Sequence, residues 1–298
     1  MHLFQGCGAA LVTPFNVGGG IDLAVFEKLI NHTLAGGVQA LFVCGTTGEP
    51  STLTESEQVR VITAAVEIAN KRVPVFAGCG SNDTAETVAF AKKCEACGAD
   101  GLLAVTPYYN KCTQNGAVRH YAAISDAVHI PIIAYNVPAR TGFSLAPETI
   151  ARLASLENVR GIKEASGDVR QLLAVARLTH DVMDFYCGDD ALTLPAMAMG
   201  ACGVISVAAN VIPRRMVTLA ELCQQGKYDE AANLQFELAP FLEALFCEVN
   251  PIPCKKALEF IGISAGAPRL PLTALEPQHA EQLQTEMEKL GIFKRGRA

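Results

Sequence analysis

No block of five or more basic residues occurs in the chain, whose formal net charge is −6 at pH 7. The electrostatic footprint of a nucleic-acid binder is therefore missing. The short basic ending, FKRGRA, reads as a solvated terminus. No run of about 18 apolar residues exists, which argues against a membrane-spanning helix. The opening MHLFQGCGAALVTPF has neither the basic n-region nor the unbroken apolar h-region of a secretory signal, so a cytoplasmic location is expected. Charged residues are only 18% and aromatics 6% of the 298 positions, against 50% hydrophobic. That balance suits an α/β enzyme whose strands are covered on both faces. The 11 cysteines are an odd, scattered set without a disulfide framework, and read as free thiols in a reducing compartment. Cys94 and Cys97 form a CxxC inside a helical pattern with no second pair downstream, and read as ordinary helix cysteines rather than a metal or redox site.

What the chain does contain is a regular alternation. Apolar, β-branched runs suggest strands over 8–15, 40–47, 73–79, 101–109, 130–136, 159–165, 183–189 and 203–210. Helical periodicity fills the intervals: 22–35, 54–70, 84–97, 115–127, 147–156, 168–178, 190–199 and 213–225. Helix starts are marked by Asp22, by Thr54 with Glu57 at capping-box spacing, by Asp83 and by Pro147. Eight β–α units over about 225 residues is the count of a (β/α)8 TIM barrel. A doubly wound sheet is the alternative, but it usually uses fewer strands, and no G-x-G-x-x-G follows the first strand. After residue 226 the strands stop and helical patterns continue. The expected organisation is a catalytic barrel over 1–225 and a C-terminal helical extension over 226–298.

In such a barrel the chemistry sits at the C-terminal strand ends and the loops beyond them. Those positions hold Gly45-Thr46-Thr47-Gly48-Glu49, Tyr108-Tyr109, Tyr135 with Arg140 following, Lys163, Gly188-Asp189-Asp190, and Ser206 or Asn210. A lysine in a barrel mouth loses hydration, which favours its neutral amine, a nucleophile able to form a Schiff base with a carbonyl. The bland alternative is an ion pair with Glu164, but successive side chains on a strand point to opposite faces. GTTGE offers backbone N–H and hydroxyl groups to a small carboxylate, though an ordinary strand-to-helix turn would also suit it. Barrel-mouth tyrosines serve either as proton carriers or as packing, and Arg140 is either a carboxylate fork or a surface residue. The six histidines avoid the strand ends, which argues against metal-dependent chemistry. Asp189 and Asp190, after strand seven, would repel a phosphate. Together these residues suggest a small, unphosphorylated oxo acid that forms an imine with Lys163.

The motifs GTTGEPSTL, VTPYYNK, YNVPARTG, GIKEASGD, CGDD and GVISVAAN fall in order at these strand ends. With them the chain resembles the pyruvate-dependent class I aldolases over nearly its whole length. GTTGE, with its second threonine, and Arg140 place the resemblance with the dihydrodipicolinate synthases rather than the N-acetylneuraminate lyases. The resemblance implies condensation of pyruvate with L-aspartate 4-semialdehyde, the entry step to diaminopimelate and lysine, without a cofactor or metal. It implies a Schiff base on Lys163 and proton transfer by Tyr135 through Thr47 and Tyr109, the last contributed by a neighbouring subunit. Thr46, Thr47 and the Ile205 backbone would hold pyruvate. Arg140 would bind the semialdehyde carboxylate near Gly188. A homotetramer built from tight dimers is implied as well. Asn82, Glu86 and Tyr108 match positions that bind L-lysine in inhibited members, whereas Pro50, Glu55 and Gln58 depart from that pattern, so feedback inhibition is expected to be weak or absent. The remaining alternatives are another pyruvate-imine lyase or dehydratase acting on a sugar acid, and a non-catalytic barrel that binds an oxo acid.

Overall fold

A computed structural model describes residues 2–293. Of the FKRGRA ending, 294–298 lie outside the described residues. Eight strands, β1 (Gly6–Ala10), β2 (Ala40–Val43), β3 (Val75–Gly78), β4 (Gly101–Val105), β5 (Ile132–Asn136), β6 (Val159–Glu164), β7 (Asp184–Cys187) and β8 (Gly203–Ser206), close in chain order into a barrel. Every pair is parallel, and β1 closes on β8 with Gly6 opposite Gly203.

The helices follow at the expected places. They are α1 (Leu23–Ala35), α2 (Glu55–Ala69), α3 (Thr84–Ala96), α4 (Gln114–Ser125), α5 (Pro138–Thr141), α6 (Pro147–Leu153), α7 (Val169–Thr179), α8 (Thr193–Ala198) and α9 (Pro213–Gln224). Three more, α10 (Tyr228–Leu245), α11 (Ile252–Phe260) and α12 (Pro277–Lys289), form the extension. The start signals act as read. Thr54 Oγ1 accepts from Glu57 N at 3.2 Å while Glu57 Oε2 accepts from Thr54 N at 2.9 Å, a complete capping box. Asp22 and Asp83 cap α1 and α3 through their carboxylates. The strands are shorter than their apolar runs. The runs continue because residues beyond the strand ends are also buried, in 3₁₀ turns at 46–48 and 208–210.

Two apolar layers hold this together. Side chains alternate along each strand, so one set fills the barrel and the other packs under the helices. Inside, Phe4 stacks on Tyr186 with ring centroids 4.3 Å apart, and Phe42 on Phe76 at 4.9 Å. These large rings plug the lower barrel, each worth about 1.5–3 kcal/mol of burial. Outside, Leu41, Ile162 and Val204 join the helix faces, and Leu238, Phe241, Leu283 and Met287 of the extension belong to the same continuous cluster. Among the described residues, no helix is long and apolar enough to cross a membrane.

Candidate active site

The alternation of β6 turns Lys163 inward and Glu164 outward. Lys163 is opposite Tyr135 of β5 and Tyr186 of β7 in the sheet register. It is 5% exposed, and its Nζ stands 4.4 Å from the centre of the Tyr135 ring. Glu164 instead accepts hydrogen bonds from Asn136 Nδ2 at 2.9 Å and from Ser166 N at 2.8 Å. Burial raises its pKa, and those hydrogen bonds oppose the rise. The carboxylate next in sequence is thus not the partner of Lys163. Gly188 makes room for the lysine stem: a Cβ there would lie 2.7 Å from Ala165 Cβ and 2.8 Å from Lys163 Cε.

GTTGE forms a 3₁₀ turn over Thr46–Gly48 at the end of β2. It is bracketed by two residues in the left-handed region, Cys44 (φ 53°) and Glu49 (φ 56°). Such strain persists only where surrounding contacts hold it. Here the holding contact is a buried ion pair: Lys255 Nζ of α11 is 2.5 Å from Glu49 Oε1, and both side chains are 2% exposed. The Lys255 ammonium also lies 4.1 Å from the centre of the Phe15 ring, and Arg269 N donates to Glu49 Oε2 at 3.1 Å. Burial lowers the Lys255 pKa, with Glu49 acting against it. Thr47 Oγ1 accepts from Asn250 Nδ2 at 2.9 Å, and the Asn250 carbonyl accepts from Arg140 at 3.1 Å. Asn250 therefore joins the β2 turn to the short helix α5 that carries Arg140.

Above these residues opens a cavity of about 690 Å³. Its wall includes Thr46, Tyr108, Tyr135, Arg140 and Asn250, and it runs out between α2 and α3 to Glu86. Pro50, Glu55 and Gln58 also line this outer part. Glu55 is ion-paired with Lys93, and Gln58 Nε2 donates to the Pro50 carbonyl at 3.3 Å. The Asn82 carbonyl accepts from Asn110 Nδ2 at 3.1 Å. Ile205 is buried in the inner barrel cluster with Tyr135. Tyr109 is the outlier: it is 89% exposed with φ 68°, so within one chain it projects into solvent.

The two acidic residues after β7 are held by backbone N–H groups. Asp190 is buried and accepts from Val207 N at 3.0 Å and Ala208 N at 2.9 Å, while Asp189 caps the turn that follows by accepting from Ala191 N. Both side chains are thus fixed in position by the scaffold at the end of β7. Three of the cysteines behave as inert thiols. Burial pushes Cys44 and Cys79, both on the cavity wall, up to about 12, and raises Cys94 of the CxxC further. Asn250 and Lys255 escaped the sequence reading because they lie in the extension, outside the strand-end positions. The one signal was a polar residue directly before Pro251 in NPIP, between two helical patterns.

A parallel eight-stranded barrel with a buried lysine at its mouth, against a tyrosine, defines the class of Schiff-base, aldolase-type enzymes. Comparison with known proteins narrows the class. The profile of the Dihydrodipicolinate synthetase family matches residues 3–290, and the chain belongs to that family. The 4-hydroxy-tetrahydrodipicolinate synthase of Caldicellulosiruptor saccharolyticus is 45% identical over 292 residues, covering 98% of this chain and 99% of the relative. The chloride-inhibited dihydrodipicolinate synthase of Acinetobacter baumannii, solved with pyruvate, is 42% identical with a TM-score of 0.95, covering 97% and 99% of the two chains. The enzyme of Cyanidioschyzon merolae, solved with lysine bound, is 38% identical with a TM-score of 0.95, covering 98% and 100%.

Proposed function

We propose that this chain condenses pyruvate with L-aspartate 4-semialdehyde to give 4-hydroxy-tetrahydrodipicolinate, in the cytoplasm, through a Schiff base on Lys163. The observation that carries the proposal is the buried lysine with its Nζ 4.4 Å from the ring of Tyr135, a residue that lines the cavity. The Lys163 amine attacks C2 of pyruvate and, after loss of water, forms an imine. The protonated imine is an electron sink, so C3 loses a proton to give an enamine that attacks the aldehyde. Tyr135 moves the protons these steps require. Thr46 and Thr47 hold the pyruvate carboxylate with the Ile205 backbone near it, and Gly188 leaves space beside the lysine. Arg140 offers its fork to the semialdehyde carboxylate at the mouth.

Tyr109 completes the proton path from a neighbouring subunit, which accords with its exposure in the single chain. Activity then depends on assembly into a tight dimer, within the homotetramer that the family resemblance implies. Asn82, Glu86 and Tyr108, the last two of which line the outer cavity, correspond to an L-lysine effector site. Glu55 and Gln58 on its α2 side make it a weak one. The test is coupled turnover. Aspartate semialdehyde should be consumed with pyruvate, and N-acetylneuraminate and sugar acids should not be cleaved. Preferential cleavage of a sugar acid would transfer the chain to the lyase branch.

A further inference from the structure

At the opposite end of the barrel, three side chains of different metal-binding type converge. His2 precedes β1, Asp184 opens β7 and Cys202 directly precedes β8. Their donor atoms all lie within 4.8 Å of one another. His2 Nδ1 is 2.7 Å from Asp184 Oδ1, Cys202 Sγ is 3.4 Å from His2 Nδ1, and Cys202 Sγ is 3.7 Å from Asp184 Oδ1. Zinc bonds of about 2.0–2.3 Å at tetrahedral angles place nitrogen, oxygen and sulfur ligands about 3.3–3.6 Å apart. Two of the three observed edges already match, and the third must open by roughly half an ångström.

The group is also oriented from behind. The second Asp184 oxygen accepts from Leu3 N at 2.7 Å and from the Tyr186 hydroxyl at 2.9 Å, which leaves Oδ1 aimed at His2 and Cys202. Such outer contacts fix the geometry of metal ligands. In front, a hollow of about 390 Å³ is lined by the three residues together with Leu3, Met183 and Met199. It gives a fourth ligand access from solvent. The residues proposed for the imine chemistry lie at the other end of the strands, so the two sites are chemically independent.

We propose that His2, Asp184 and Cys202 bind one borderline-soft divalent transition ion, best suited to Zn²⁺, with water in the fourth position. The ion would staple the segment before β1 to the base of β7 and β8. The donor set favours zinc over magnesium or calcium, which take oxygen ligands.

Co²⁺ serves as the spectroscopic probe on the chelator-stripped, full-length protein. It should bind at about one equivalent per chain with a thiolate-to-cobalt charge-transfer band in the near ultraviolet, displaced by Zn²⁺. Cys202→Ser should abolish the band, and His2→Gln should weaken binding at least about tenfold. Turnover at the barrel mouth should be unchanged in Cys202→Ser. An independent readout is alkylation: Zn²⁺ should slow modification of Cys202 by iodoacetamide about tenfold, mapped by mass spectrometry, because the coordinated thiolate is masked. Absence of the band in the parent protein, a band that persists in Cys202→Ser, or equal alkylation with and without Zn²⁺ would each reduce the cluster to a hydrogen-bonded group and overturn the proposal.

Discussion

Replacing Lys255 by methionine is the sharpest probe of how the extension supports the site. Methionine keeps most of the length of the stem but removes the ammonium, and with it the contact of Nζ with the Phe15 ring. Glu49 is then left 2% exposed with the Arg269 N–H at 3.1 Å as its remaining neutral partner. Removing one member of a buried ion pair costs about 3–5 kcal/mol, because the other stays desolvated without compensation. That is roughly two to four powers of ten in the unfolding equilibrium. The double variant Lys255→Met/Glu49→Gln carries no orphan charge and should recover most of the loss. Denaturant unfolding followed by circular dichroism, at one protein concentration, measures all four members of the cycle. Glu49 directly follows Thr46-Thr47-Gly48, so the single variant should also bind pyruvate more weakly. A Lys255→Met loss under about 1 kcal/mol, or strictly additive effects across the cycle, would refute the role given to this pair.

Burial holds His120 at about 4, below its ordinary 6.5. The unfolded chain therefore takes up a proton that the folded chain refuses. The stability it contributes is complete above pH 6.5 and is lost as pH falls toward 4, by about 3 kcal/mol in all. His120→Gln should flatten that part of the stability–pH curve, and an unchanged slope would remove His120 as its source. Gly188→Ala places a methyl 2.8 Å from Lys163 Cε and should slow imine formation about 100-fold by displacing the amine, measured by single-turnover trapping; wild-type rates would contradict the steric role. Arg140→Ala should keep imine formation yet lose semialdehyde turnover; retention of both would exclude the carboxylate fork. Millimolar L-lysine should inhibit initial rates weakly or not at all, since Glu55 and Gln58 face the outer cavity; strong inhibition would be the contrary result.

Most of the fold was legible because period-two and period-3.6 patterns alternate without interruption, and Asp22, Thr54, Asp83 and Pro147 mark helix starts. Strand ends were less legible. Thr46-Thr47 and Ala208-Ala209 continue the apolar runs but form buried 3₁₀ turns, and burial alone does not separate the two. α5 is too short to show periodicity. Within the site, Lys163 was readable because a charge in an apolar strand stands out and the fold assigns its end to chemistry. The orientation of Glu164 followed from alternation. Asn250 and Lys255 were not readable, since their partners, Thr47 and Glu49, are about 200 positions away in the chain and nothing local marks such a contact. The partners of Asp190, the Val207 and Ala208 amides, were unreadable for the same reason.

The central claim is that Lys163 is the nucleophile. Incubation with pyruvate and borohydride, followed by peptide mass spectrometry, tests it most directly. The account predicts one reduced pyruvyl adduct per chain, on Lys163, absent from Lys163→Arg and absent when pyruvate is withheld. No adduct, or an adduct on another lysine that persists in Lys163→Arg, would contradict it.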